Sequence, residues 1–285
     1  MQNHKNSYYL SAEDVDNFMD ASALNSGEGI LLFGIADPSI KKFLPPPLEL
    51  TDPVNPMFCL YISNNREPTF SPWYLEGGIG VMARYGDKVG LYYFNLQLSG
   101  PFALMGMLTG RESSGLPKKL CDQIVVERTD TYAHGYIERG GVRLVEVEME
   151  IGSYNNPELL LGMEGASETP GGITQDGSCL LFKFQWDSNG YKDLELIDYD
   201  SFTTYYSWEP ASATVTLKSS FDDPYGEMPL LSVLGAGWYK SDNGIKNVTT
   251  VCKIPDSQAE ETVRYLLAGR FDRSTMCKGS QSYSG

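Results

Sequence analysis

Val145, Val147, Met149 and Ile151 alternate with Glu146, Glu148 and Glu150. A period of two with the charges on one side predicts a strand in a sheet with one wet face. The rhythm recurs along the chain. Residues 81–98 (VMARYGDKVGLYYFNLQL) read as two strands joined at Gly86-Asp87. Residues 178–186 (SCLLFKFQW), 211–219 (ASATVTLKS) and 247–254 (NVTTVCKI) read as further strands. Turn clusters separate them: Asn64-Asn65-Arg66, Glu138-Arg139-Gly140-Gly141, Pro170-Gly171-Gly172, Asp187-Ser188-Asn189-Gly190 and Asp222-Asp223-Pro224-Tyr225-Gly226.

Helix signals are few. Ser11 is placed to cap a short helix over 12–21. A second follows Asp37, with Pro38 in its first turn and Pro45-Pro46-Pro47 as its stop. Residues 257–267 make the third, with Val263, Leu266 and Leu267 on one face and Gly269 beyond its end. No internal repeat or low-complexity linker interrupts the pattern. The expectation is an α+β, β-rich single domain over 1–285. Its core runs from about 25 to 268, and the tails at 1–10 and 270–285 are loose.

Composition narrows the function. The net charge of −15 argues against nucleic acid and membrane partners, because phosphates are repelled over most of such a surface. An apolar fraction of 41% supports a sizeable core. The five cysteines, Cys59, Cys121, Cys179, Cys252 and Cys277, are scattered and form no CxxC pair, so they read as reduced thiols in a cytoplasmic protein. No basic segment followed by an apolar core opens the chain, and no apolar run is long enough to span a membrane. With His4 and His134 the only histidines, there is little material for a metal site or a serine–histidine triad, and no cofactor is expected. His134 reads as structural.

Chemistry concentrates in GRESSGLPKKL, residues 110–120. A lysine amine attacks a ketone only when neutral, yet an ordinary lysine has a pKa of about 10.4. Apolar burial and a neighbouring cation both lower it. Leu116, Pro117 and Leu120 offer the dry surroundings and the adjacent Lys119 offers the cation for Lys118. The plainer reading is a solvated lysine pair in a turn.

These residues resemble the active-site segment of the acetoacetate decarboxylase family, in which a Gly-Arg-Glu opening precedes Pro-Lys-Lys. WYLEGG at 73–78 is similar to the family's Tyr-x-Glu-x-Gly segment, FLPPPLEL at 43–50 to its N-terminal motif, and residues 129–149 to its next hairpin. The resemblance implies a closed, mostly antiparallel β-cone or barrel with short flanking helices, and a homo-oligomer. It implies Lys118 as the nucleophile of a Schiff base, Lys119 as its tuner, and Glu76 as a proton-handling or positioning group. Tyr61, Tyr74, Arg111 and Cys59 become candidates for substrate contact, although Arg111 with Glu112 also reads as a local ion pair.

Two departures bear on the reaction. Gly27 or Glu28 stands where the family places an arginine, and Cys59 or Tyr61 where it places a second glutamate. The implied activity is therefore that of a carbon–carbon lyase acting on a keto acid or related carbonyl compound other than acetoacetate. A Schiff-base aldolase, dehydratase or retro-aldol enzyme on a larger or aromatic ketone is the alternative, and a carbonyl-binding protein without turnover is the third. The 18 tyrosines include Tyr92 and Tyr93, which read as ordinary strand residues unless a closed sheet turns one inward to line a pocket.

Overall fold

The computed structural model describes residues 9–20, 24–66, 71–153 and 166–276. Among these residues, thirteen strands form one sheet. They are β1 (Leu24–Ala36), β2 (Glu49–Leu50), β3 (Met57–Arg66), β4 (Trp73–Tyr85), β5 (Lys88–Ser99), β6 (Lys118–Leu120), β7 (Gln123–Arg128), β8 (Tyr132–Arg139), β9 (Val142–Ile151), β10 (Ala166–Thr169), β11 (Gly172–Asp187), β12 (Gly190–Leu217) and β13 (Leu230–Lys253). The helices are α1 (Ala12–Asp20), α2 (Ala103–Ser114), α3 (Asp256–Leu266) and α4 (Arg273–Met276). The expected second helix is a 3-10 helix over Pro38–Phe43.

The strands close on themselves. The path β11-β5-β4-β3-β1-β13-β12 returns to β11, because β12 pairs with β11 as well as β13. Every junction in this ring is antiparallel except β11 with β5, where Cys179 lies opposite Leu91 in parallel sense. The β-rich fold with short flanking helices is thus the one expected.

β9, β8 and β7 continue from β12 and pack over the outer face of the ring. Their Ile137, Val145 and Val147 meet Ile30, Leu32, Leu60, Ile62 and Ile79 in the main core. In β1 the even residues Ile30 and Leu32 enter that core, while the odd Leu31 and Phe33 face the ring interior. Both faces are covered, so GILLF reads as a continuous apolar run without alternation.

Asn64-Asn65-Arg66, expected as a turn, instead completes β3, because β1 and β4 flank it and take its backbone groups. The other turn clusters mark the joins between strands as expected, with their outer residues extending the flanking strands and a 3-10 helix at Tyr225–Glu227 in the last. Residues 1–8 and 277–285, including His4 and Cys277, lie outside the described residues. Residues 271–276 are not loose: α4 forms there, and Asp272 is tied to Arg139.

α2 was not expected. Its Leu104, Met105 and Leu108 are exposed, while Ala103, Gly106 and Met107 are buried, so no apolar stripe marks it in the sequence. Gly115 ends it in the left-handed region at φ 70°. A side chain there would meet the Phe182 carbonyl at 2.2 Å, so both conformation and space call for glycine.

Candidate active site

Pro117 leads from the α2 cap into β6, which adds to β5 in parallel register with Lys118 opposite Leu96. Successive strand residues face opposite sides. The two lysines are therefore parted by the geometry that makes them neighbours in sequence.

Lys118 points into the ring, where its side chain is 5% exposed. Its Nζ lies 2.6 Å from Glu76 Oε2 and 3.3 Å from the Gly106 carbonyl, which accepts a hydrogen bond from it. The Tyr74 ring lies beneath the ammonium, 5.5 Å away at its centroid. Gly106 and Gly110 make room for this arrangement, since a Cβ on Gly110 would meet Lys118 Cε at 2.8 Å. Glu76, which alone before two glycines reads as a turn residue, sits mid-strand in β4 opposite Ser63. Its Oε1 accepts a 2.5 Å hydrogen bond from the Tyr61 hydroxyl. Its Oε2 is buried and, despite the ion pair, has no aligned hydrogen-bond donor.

The protonation of Lys118 corrects the sequence expectation. Burial pushes its amine down, but the Glu76 carboxylate and the Tyr74 hydroxyl outweigh burial and hold it above the ordinary lysine range. The amine rests as an ammonium, and Glu76 is the group placed to take its proton. Burial, with help from Glu76, holds the Tyr61 hydroxyl well above the ordinary tyrosine range, so it stays a neutral donor.

Lys119 does not act on Lys118 as a nearby cation. It leaves the opposite face of β6 and is neutralised there by Asp223 at 2.8 Å and Asp272 at 3.1 Å. Arg139 binds the same two carboxylates. Gln97 donates to Asp223, and Tyr225 donates to Asn95 in the same buried network. The network ties β5, β6, the 222–225 loop and the start of α4 together behind the Lys118 strand.

The ring encloses a cavity of about 540 Å³. Lys118, Glu76, Tyr61 and Cys59 line it, together with Leu31, Phe33, Leu91, Tyr93, Tyr199, Tyr205 and Tyr239. Lys118 is the one lysine or arginine that lines it among the described residues. Gly27 also lines it, whereas Glu28 is held by Arg66 and Lys240. Cys59 is buried, and burial holds its thiol well above the ordinary range, so it contributes shape and not a thiolate.

The sequence model of the acetoacetate decarboxylase (ADC) family matches residues 13–253. The chain belongs to the acetoacetate decarboxylase family. A family relative from Lactiplantibacillus plantarum, named a CLA biosynthesis isomerase, is 33% identical over 275 residues, covering 94% of this chain and 95% of that one. The acetoacetate decarboxylase of Legionella pneumophila subsp. pneumophila superposes with a TM-score of 0.68 at 16% identity, over 87% of this chain and 98% of its own. The enduracididine biosynthesis enzyme MppR, complexed with the condensation product of pyruvate and imidazole 4-carboxaldehyde, superposes at 0.62 with 15% identity, over 86% and 95%. These relatives and structural neighbours are thus named for different reactions.

Within this acetoacetate decarboxylase fold, Lys118, Glu76 and Tyr61 meet around one point, with Tyr74 beneath. Arg111 does not join them. It pairs with Glu112 at 2.9 Å, donates to the Arg270 carbonyl and stacks on Phe271, apart from the cavity lining. His134 sits in β8 beside Glu146 and Tyr136, outside the cavity. Tyr93 faces the cavity while Tyr92 and Phe94 enter the core, so the pocket-lining reading holds for one of the pair. Tyr199, Tyr205 and Tyr239 went unremarked in the sequence. Their signal was tyrosine in long strands, which only ring closure turns into a wall. No helix among the described residues is long and apolar enough to cross a membrane.

Proposed function

We propose that this enzyme forms a Schiff base between Lys118 and an apolar carbonyl compound and moves a carbon–carbon double bond by proton transfer. The carrying observation is the Glu76 carboxylate, held by Tyr61 on one oxygen and presenting the other to the Lys118 amine in an otherwise uncharged stretch of the cavity.

The steps balance. Glu76 takes a proton from the Lys118 ammonium. The freed amine adds to the ketone carbon, and loss of water gives an iminium. Glu76, having released its proton to that water, removes a proton from the carbon next to the iminium. The electron pair then runs through the neighbouring double bond as a dienamine. Return of the proton to the far carbon completes the shift, and water hydrolyses the imine to restore Lys118. No metal or organic cofactor takes part.

Decarboxylation of a β-keto acid, the reaction in the family's name, uses the same iminium. The cavity favours it less, because among the described residues no second lysine or arginine lines it to hold a substrate carboxylate. The name of the 33% identical relative also favours isomerisation. Work as a cytoplasmic homo-oligomer on a small-molecule substrate belongs to the same proposal.

The test is exchange. A β,γ-unsaturated ketone in D2O should gain deuterium at both ends of the shifting system and become conjugated. Glu76→Gln should slow this by about a hundredfold or more. Release of CO2 from β-keto acids with no exchange on any unsaturated ketone would overturn the reading.

A further inference from the structure

The Lys118–Glu76 pair divides the ring interior into unlike halves. Glu76 lies opposite Ser63, which lies opposite Gly29. Moving one way along the strands, the interior positions are Tyr61, Leu31, Cys59 and Phe33, with Leu91 across from them. Moving the other way they are Asn65, Gly27, Ser241, Asn25 and Asn243.

This second half is not merely a wet rim. Asn65 is 7% exposed, Ser241 6% and Ser63 1%. Asn65 Oδ1 accepts a hydrogen bond from the Ser63 hydroxyl at 3.1 Å. Its Nδ2 has no partner among the described residues and is not sealed from solvent, so its donors open onto the cavity that Asn65 lines. A donor that faces a cavity without a protein partner is free to bond an acceptor on whatever occupies the cavity.

The charges around this half choose the kind of group. Lys246 is bound to Asp176, and Arg66 and Lys240 are bound to Glu28. Asp176 itself lines the cavity. A carboxylate would find no unpaired lysine or arginine here among the described residues, whereas a hydroxyl or similar neutral group can accept from the Asn65 donor.

We infer that this half is a subsite for an uncharged hydrogen-bonding group of the substrate, held by Asn65 and Ser241. The inference rests on the proposed function for what occupies Lys118. The subsite lies two strand residues beyond the Glu76 level, so the group sits roughly 7 Å from the reacting carbonyl. The substrate is then a carbonyl compound with an apolar arm on one side and a hydroxyl-bearing arm on the other.

Calorimetric titration with three probes tests this: a saturated long-chain ketone, its counterpart with a hydroxyl at that spacing, and its counterpart with a carboxylate there. The hydroxy ketone should bind about tenfold more tightly than the plain ketone, and the carboxylate more weakly than either. Asn65→Leu should erase most of the hydroxyl preference. Ser241→Ala, which removes a single oxygen, should reduce it and serves if the first variant does not fold. A hydroxy ketone no tighter than the plain one, or a carboxylate tighter than both, overturns the subsite. Borohydride reduction of the same mixtures reads the imine separately. Trapping on Lys118 without hydroxyl preference would sink the subsite alone, and preference without trapping would sink the imine alone.

Discussion

Lys118 Nζ and Glu76 Oε2 meet at 2.6 Å across an intervening strand, since β6 and β4 both pair with β5 and not with each other. The pair exists only because the sheet is formed, and it sets the amine's protonation. The lysine for which a covalent role is proposed thus rests in its charged form, beside a carboxylate placed to take its proton.

Replacing that carboxylate should shift Lys118 in a defined direction. In Glu76→Gln the main group raising the amine is gone and burial, which lowers it, remains. The amine becomes neutral at lower pH. The pH midpoint for borohydride trapping of a simple ketone should therefore move to lower pH in Glu76→Gln, while proton exchange collapses. A trapping profile that stays put, or moves to higher pH, contradicts this assignment.

Lys119 carries a different expectation. Lys119→Met should leave the pH midpoint for trapping at Lys118 where it is, because the two side chains lie on opposite faces of β6. The same change leaves Asp223, 2% exposed in its side chain, with Arg139 as its remaining cation. The loss should be about 3 kcal/mol, readable by denaturant unfolding. A shifted midpoint with unchanged stability would restore the tuning role that adjacency suggests.

Gly110 holds the amine in place by leaving room for it. In Gly110→Ala the new methyl would press on Lys118 Cε and Nζ, at 2.8 and 2.9 Å. A displacement of about 1 Å can cost a hundredfold in rate. Steady-state kinetics should show that loss in kcat with the fold retained by circular dichroism. Full activity would mean that the lysine has slack the packing does not suggest.

The sequence made some of this legible and hid the rest for physical reasons. Alternation identified β9, and Gly86-Asp87 marked the β4–β5 hairpin, because those signals are local. The motif around Pro117 pointed to Lys118, and WYLEGG to Glu76. The partnership of Lys119 was misjudged because adjacency in a strand means separation in space, and its true partners, Asp223 and Asp272, lie more than a hundred residues away. α2 was missed because its apolar residues face both ways. The tyrosine wall was missed because strand periodicity gives a side and not a destination, which closure of β11 onto both β5 and β12 decides.

The most direct test of the central claim is borohydride reduction in the presence of a long-chain unsaturated ketone, followed by peptide mapping. The imine reading predicts one reduced adduct on Lys118, absent in Lys118→Met. If conversion of the ketone proceeds while Lys118 stays unmodified, or if Lys118→Met converts it at the wild-type rate, the Schiff base is not how this enzyme works.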